Sequence, residues 1–432
     1  MERVLTNELK ERVGDRVRVM GWMHNLRRLG RVNFLLLRDR KGLVQAVLGS
    51  EQLDALEGLQ MESVLEITGD VVEAPSVALG VELANVALNV ITSVTEILPF
   101  ELNKPEVPAT LPVFLDHAVV GHRHPRQRAI LRVASGIVAG FRKTLEAMGF
   151  TEIFSPKIVA SATESGANVF QIDYFGQPAY LAQSPQFYKQ IMVGVFERVF
   201  EVTPVFRAEP HSTARHINEY VSLDVEFGFI DDHFTVMALL TDVLRGILAH
   251  LRASYAQELA LLDVALPAIG ESIPWVYYPD AQELIFQREG LDVRGEPDLA
   301  PEHERALGKW AKETFDSDFL FVPGYPMAKR PFYTHPNPSD PAYSNAFDLL
   351  FRGMELVTGG QRRHIYEDYV AAAREAGYPL EPYEKYFECF KYGMPPHGGF
   401  AIGLERFVTQ LLGAENIKWV TLFPRDLTRL QP

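Results

Sequence analysis

Cysteine is almost missing from this sequence of 432 residues. Cys389 stands alone, so neither an internal disulfide nor a cysteine-rich zinc site can form. There is no low-complexity tract, and no uninterrupted apolar run approaches the length of a membrane span. The opening MERVLTNELKERVGD lacks the apolar core of a signal peptide, so a cytoplasmic protein with no membrane partner is expected. Positive charge is thin as well. A net charge of −14 excludes a protein that coats nucleic acid without specificity, and no DNA partner is expected. From Gly42 to Asn103 there is not one Lys or Arg, yet residues 1–50 carry eleven of them against five Asp and Glu. A basic face so confined predicts a single localised anionic contact.

The length calls for two or three domains. Residues 1–102 read as a compact β-domain. Arg16–Trp22, Asn33–Arg38, Leu43–Leu48 and Val64–Val72 are short, β-branched runs separated by turn residues, and Gly49–Gln60 is a candidate short helix. Five strands and a helix fit a small Greek-key barrel of the oligonucleotide-binding (OB) kind. Such a barrel binds unpaired bases by stacking and edge hydrogen bonds, for which Phe34, Gln45 and Arg27–Arg28 are candidates. A lone Phe in a β-domain is more often core. Residues 103–135, rich in Pro and His, read as a hinge, and a helix is expected over Ala134–Met148. Pro156 then breaks the extended TEIFSPKIV, which suits a sheet edge or an interface.

The densest chemistry lies in Phe200–Ile230, which reads as two strands and a polar loop. On the second strand Val221, Leu223, Val225, Phe227 and Phe229 alternate with Tyr220, Ser222, Asp224 and Glu226. Arg207 and Glu209 share a face of the first, and the loop adds His211, Arg215 and His216. One packed face and one face of Arg, Glu, His and an aromatic could cradle a polyanion and stack a flat ring. AQSPQFYKQ opens a helix with Ser184 as N-cap and Pro185 in its first position, placing Gln186 and Lys189 on one side. Helical patterns run from Asp231 to Asp263. The stretch 262–325, with an acidic helix Glu302–Thr314, shows no chemistry and reads as an insertion.

In FDLLFRGMELVTGGQR a two-residue turn at Arg352–Gly353 pairs Leu350 with Glu355, so Asp348, Leu350 and Glu355 should point together. Two converging carboxylates suit a hard cation such as Mg²⁺ on phosphates. Thr358 and Arg362 follow closely. FAIGLERFVTQLLG is a strand–Gly–helix junction with Arg406 near the helix start.

Three ordered motifs, Pro156 after a long helix, FRAE…RHINEY, and GLER, resemble those of the class II aminoacyl-tRNA synthetases, specifically the aspartyl enzymes of archaeal type. The resemblance spans nearly the whole chain. It implies an α+β fold: a five-stranded OB-fold anticodon-binding barrel (1–102), a hinge (103–135) and a catalytic domain (136–432) with an antiparallel sheet flanked by helices. The implied reaction uses ATP and Mg²⁺ to activate L-aspartate as an adenylate and passes it to tRNA. By the same resemblance, Arg207 holds the α-phosphate, His216 and Arg406 the γ-phosphate, and Arg215 joins the ATP set. Tyr220 lies under the adenine with Arg406 above, and Glu209 sits beside the adenine amino group. Asp348, Glu355 and Thr358 serve the metal. Arg362 and Lys189 grip the aspartate carboxylate, with Gln186, Glu164, Arg207 and Thr358 near the substrate. Phe34 and Gln45 meet anticodon bases, and Pro156 lies in a homodimer interface.

Lys189 favours an anionic over a neutral amide side chain, since a buried charge left unpaired rejects the wrong substrate. His24 where discriminating enzymes tend to carry Trp, Pro75 in EAPSVALG, and the missing Lys imply a non-discriminating form that charges both tRNA(Asp) and tRNA(Asn). The alternatives left open are a discriminating enzyme, an asparaginyl enzyme, and a non-charging tRNA-binding paralogue. One departure stands out: Ala401 occupies the second glycine position of the family's Gly-Phe-Gly.

Overall fold

A computed structural model describes residues 1–30, 32–160, 168–210 and 212–431. Glu164 and His211 fall outside the described residues. Two units emerge, Met1–Pro125 and Arg126–Pro432.

In the first unit, β1 (Arg16–Leu29), β2 (Val32–Arg38), β3 (Leu43–Leu48), β4 (Val64–Glu73) and β5 (Val81–Thr92) close into a barrel in the order β1-β2-β3-β5-β4. Period-two alternation turns Val17, Val19, Leu35, Leu37, Val44 and Ala46 into its core. The helix between β3 and β4 is only Ser50–Asp54, shorter than expected. Segment 103–125, expected to be part of a hinge, belongs to this unit and holds the short helices Leu111–Asp116 and Ala118–Gly121. Phe114 explains its order: the ring is fully buried, stacked on Phe100 and edge-on to His122.

The second unit opens with α1 (Pro125–Ala147), which begins well before the expected Ala134. Proline lacks an N–H that the first helical turn does not need, so here it starts a helix where a linker was expected. A seven-stranded sheet follows in the order β9-β10-β11-β12-β8-β7-β6. Its strands are β6 (Thr151–Glu152), β7 (Arg198–Phe206), β8 (Glu219–Gly228), β9 (Phe319–Pro323), β10 (Ala346–Phe351), β11 (Met354–Gln361) and β12 (His397–Gly403). All neighbours are antiparallel except the edge pair β7–β6.

Four further helices matter for the site: α2 (Gln186–Phe196), α3 (His233–Ser254), α4 (Pro301–Phe315) and α5 (Leu404–Leu412). Ile137 and Phe141 of α1, Leu240 and Ile247 of α3, and Leu223 and Val225 of β8 share one core. α3 is long and apolar enough by composition to span a bilayer, although Asp242 and Arg245 interrupt its apolar run. Its apolar side is spent on this core instead.

β8 corrects the picture of a strand with one open face. Its alternation is as expected, but Ser222, Asp224 and Glu226 are as buried as Leu223 and Val225. The strand stops at Gly228, so Phe229 turns outward, 72% exposed at φ 58°.

Candidate active site

The central strands carry an open cleft. Arg207, Glu209, Arg215, His216, Tyr220, Glu355, Thr358 and Arg406, drawn from stretches 200 residues apart, all line it. Arg207 continues the β7–β8 pairing just past the strand: its N–H donates to the Asn218 carbonyl at 2.8 Å, and Asn218 Nδ2 donates back to the Arg207 carbonyl at 2.9 Å. Its guanidinium lies 5.6 Å from the Tyr220 ring centroid. Glu209 has left the strand for the loop, and its Oε2 is 3.7 Å from His216 Nε2. His216 Nδ1 pairs with the Thr213 hydroxyl at 2.7 Å. The C-terminal segment fixes this loop, since Ile417 N–H donates to the Ala214 carbonyl and Asn218 N–H to the Arg425 carbonyl. Opposite, Arg406 Nη1 donates to the Glu355 carbonyl at 3.0 Å. A Cβ on Gly403 would come within 3.9 Å of the Tyr220 ring and 3.7 Å of Arg406 Cβ, so ring and guanidinium stem flank the strand–helix junction.

The β10–β11 hairpin has the expected two-residue turn, with Arg352 and Gly353 both at positive φ. Phe351–Met354 and Leu350–Glu355 pair as expected, but a bulge then sets Asp348 opposite Thr358. Of the three residues expected to converge, only Leu350 turns away, while Asp348 stays close enough to Glu355 to feel its charge. Leu350 is buried in a separate apolar cluster with Leu307 and Val322. Asp348 is absent from the cleft wall and buried, with its Oδ2 3.1 Å from Arg330 Nη2. Burial raises its pKa, against the pull of Arg330 and with a further push from Glu355. Glu355 faces the cleft and accepts from the Thr358 hydroxyl at 3.2 Å.

Behind this wall Asp224, Ala401 and Thr358 form one row across β8, β12 and β11. Ala401 is partly exposed and lines the cleft, so its methyl has room. Glycine is needed at 399 instead, where a Cβ would fall 2.0 Å from the Val225 carbonyl and 2.3 Å from Glu226 Oε2. Lys189 and Arg362 were expected to be cations waiting for a substrate carboxylate. Both are already paired. Lys189 Nζ lies 3.0 Å from Asp224 Oδ1 and 3.3 Å from Glu226 Oε2. Arg362 grips Glu226 through Nε at 2.9 Å and Nη2 at 3.3 Å. Burial alone would raise the pKa of Glu226, but Arg362 and Lys189 hold it below the usual carboxylate range.

Gln186 is buried too, but its amide donates to Gln190 Oε1 at 2.9 Å, not toward Lys189. α2 starts at Gln186, one residue later than expected, with the Ser184 hydroxyl accepting the Gln186 N–H. Gln190 also donates to Tyr369 and His397, and accepts from Tyr386. Burial pushes the pKa of His397 down to about 4. It is therefore neutral, with Nδ1–H donating to the Pro395 carbonyl and Nε2 accepting from Gln190.

Glu405 lies under the cleft, both carboxylate oxygens accepting from Val221 N–H at 3.2 and 3.1 Å. Burial raises its pKa from 4.5 to about 7, with Glu219 adding repulsion. The folded chain thus holds this proton more tightly than the unfolded one. The stabilisation is full below about pH 4.5 and is lost as pH rises to about 7. Glu405→Gln should match wild type at pH 5 and exceed its unfolding free energy by about 2–3 kcal/mol at pH 8. Denaturant melts at the two pH values would show it, and a pH-independent difference would count against it.

In the barrel, Arg27 pairs with Phe34, and Leu36 with Gln45, so Phe34 and Gln45 share one outward face. Gln45 Nε2 donates to Glu82 at 2.7 Å. Pro75 is exposed. His24 is not on that open face. It is the bulged residue of β1, 7% exposed, and lines a cavity with Glu62, Phe100 and Leu102.

Residues 112–427 match the model of the family "tRNA synthetases class II (D, K and N)", and residues 17–90 that of an OB-fold nucleic acid binding domain. The chain is 47% identical to the aspartate–tRNA(Asp/Asn) ligase of Deinococcus radiodurans, over all of this chain and 99% of that protein. It is 45% identical to the ligase of the same name from Thermus thermophilus, over the full length of both. The solved asparaginyl-tRNA synthetase of Pyrococcus horikoshii with asparaginyl-adenylate superposes with a TM-score of 0.92 at 32% identity, covering both chains entirely. With an OB-fold barrel in front of a catalytic sheet of this topology, the chain belongs to the class II tRNA synthetases (D, K and N).

Proposed function

We propose that this protein is an aspartate–tRNA ligase that charges both tRNA(Asp) and tRNA(Asn). What carries the reading is one cleft, flanked by Arg207 and Arg406, whose floor leads through the Thr358–Ala401–Asp224 row to the Lys189–Arg362 cluster. ATP lies in the cleft with its adenine against Tyr220. The aspartate α-carboxylate attacks the α-phosphorus, the bond to pyrophosphate breaks, and aspartyl-adenylate remains. Arg207 stabilises the charge that builds on the α-phosphate, and Arg406, Arg215 and His216 hold the leaving phosphates. A hydroxyl of the tRNA's terminal ribose then attacks the carbonyl and AMP departs. The substrate's side-chain carboxylate binds at Arg362. The Nε–Nη2 edge of that guanidinium is already taken by Glu226, so Nη1 is the donor left for it among the described residues.

Mg²⁺ fits the hairpin. Asp348 Oδ1 is buried without a hydrogen-bond partner among the described residues, and Glu355 and Thr358 offer hard oxygens. Two carboxylates and a hydroxyl would hold the ion, whose charge would offset that of the phosphates. Phe34 and Gln45 read the anticodon on the barrel face. His24, buried at its bulge, acts on tRNA choice through the shape of the β1 strand, together with exposed Pro75. Phe154, 82% exposed, and exposed Pro156 form part of a homodimer interface, and the protein works in the cytoplasm.

Charging with labelled aspartate should proceed on both tRNA(Asp) and tRNA(Asn), and a sizing column run on the same preparation should give twice the chain mass. Charging of tRNA(Asp) alone would end the dual-substrate reading. Charging with asparagine in place of aspartate would favour the asparaginyl alternative.

A further inference from the structure

The stretch 262–325 was expected to be an insertion without chemistry, yet its helix α4 reaches the cleft. Glu304, 8% exposed, accepts the Glu355 N–H through Oε2 at 3.3 Å, and the same oxygen lies 3.6 Å from Arg215 Nη1. On the far side of the same residue, Arg406 donates to the Glu355 carbonyl at 3.0 Å. The backbone of Glu355 is therefore held on both edges, by the insertion at its N–H and by the α5 arginine at its C=O. The helix cannot slide against this contact. A Cβ on Gly308 would sit 2.5 Å from Gly353 Cα, and one on Gly353 would sit 2.9 Å from Arg305 Cα. Helix and hairpin turn thus touch backbone to backbone, while Leu307 and Ala311 pack with Leu320 and Leu350 beneath.

Burial and the nearby Glu355 raise the Glu304 pKa from 4.5 to about 7, while Arg215 draws it back toward the ionised form. A carboxylate at the edge of a phosphate-binding cleft repels its ligand unless its charge is engaged, and the ionised form is engaged by Arg215. We infer that Glu304 is a positioning residue for ATP: it fixes Arg215 and the start of β11 where the phosphates arrive, making α4 part of the nucleotide site. This rests on the cleft being the ATP site, as proposed above. Without the carboxylate, Arg215 keeps its charge but regains the rotamer freedom of a long side chain, and that freedom is lost again whenever ATP binds.

The test is aspartate-dependent ATP–pyrophosphate exchange on the full chain at about pH 8, where Glu304 is mostly ionised. Glu304→Gln keeps an acceptor for the Glu355 N–H and loses only the charge facing Arg215. It should raise KM for ATP about fivefold, with KM for aspartate within about twofold of wild type, as expected for losing an ion pair of this exposure. Glu304→Asp should recover part of the loss. In Arg215→Ala, the further change Glu304→Gln should add nothing, because the two act through one contact. Additive losses, an equal rise in both KM values, or an unchanged KM for ATP would each overturn the inference and leave the cleft assignment standing. Wild-type protein without aspartate-dependent exchange would overturn both.

Discussion

Arg207→Ala should lower aspartate-dependent ATP–pyrophosphate exchange by about 10²- to 10³-fold, the range found when one preorganised donor to a developing oxyanion is removed. The expectation follows from how firmly the residue is placed. Its own N–H and C=O are both bonded to Asn218, so the backbone cannot drift, and Tyr220 flanks the guanidinium. A donor fixed in advance costs no reorganisation when charge moves onto the α-phosphate, so most of the loss should fall on kcat and little on KM for aspartate. Arg207→Lys should recover only a small part, because an ammonium cannot reproduce the planar fork. The side chain is only half-buried, so thermal unfolding should move little. A tenfold or smaller effect on kcat, in a protein of unchanged stability, would remove Arg207 from the α-phosphate.

Features set by neighbours in the chain were legible from the sequence. Alternation along β2 and β3 defines the barrel wall, and Arg352–Gly353 makes a two-residue turn because only a short loop at positive φ joins strands so closely. The cleft residues were legible because most sit at a strand end, in the loop joining two paired strands or at a helix start, where spacing carries meaning. What spacing does not carry is charge balance across the fold. Lys189 reads as a spare cation, since nothing within α2 shows that Asp224 and Glu226 of β8 lie beneath it. The period-two face containing those acids was visible, but its burial was not, because the covering helix comes from elsewhere in the chain. Glu304 and Arg330 had no local signal at all. One depends on a glycine–glycine contact between a helix and a distant hairpin, the other lies in a loop without a period. The bulge in β11 escaped for a related reason: it shifts Asp348 by one partner without changing any residue type.

Arg362→Leu should cost about 3–5 kcal/mol of stability and abolish aspartate activation, the typical penalty for leaving a buried charge short of its partner. Lys189, Arg362, Asp224 and Glu226 together carry two positive and two negative charges, all nearly inaccessible to water. Removing Arg362 leaves two carboxylates facing one ammonium. The pH dependence follows from Glu226, whose pKa is depressed. Its contribution is present above the unfolded carboxylate value and is lost as pH falls through the folded one. In the variant the carboxyl takes up a proton more readily, so the stability gap to wild type should narrow as pH is lowered toward about 4, near the ordinary carboxylate pKa. Adding Glu226→Gln to Arg362→Leu should restore much of the stability at pH 7.5, because the orphaned charge goes with it. Activity should not return, since the guanidinium nitrogen left for the substrate is still missing. Denaturant melts and exchange assays on the single and double variants separate the two roles. If the double variant regained exchange, Arg362 would be a structural counter-ion and the aspartate carboxylate would have to bind elsewhere in the cleft.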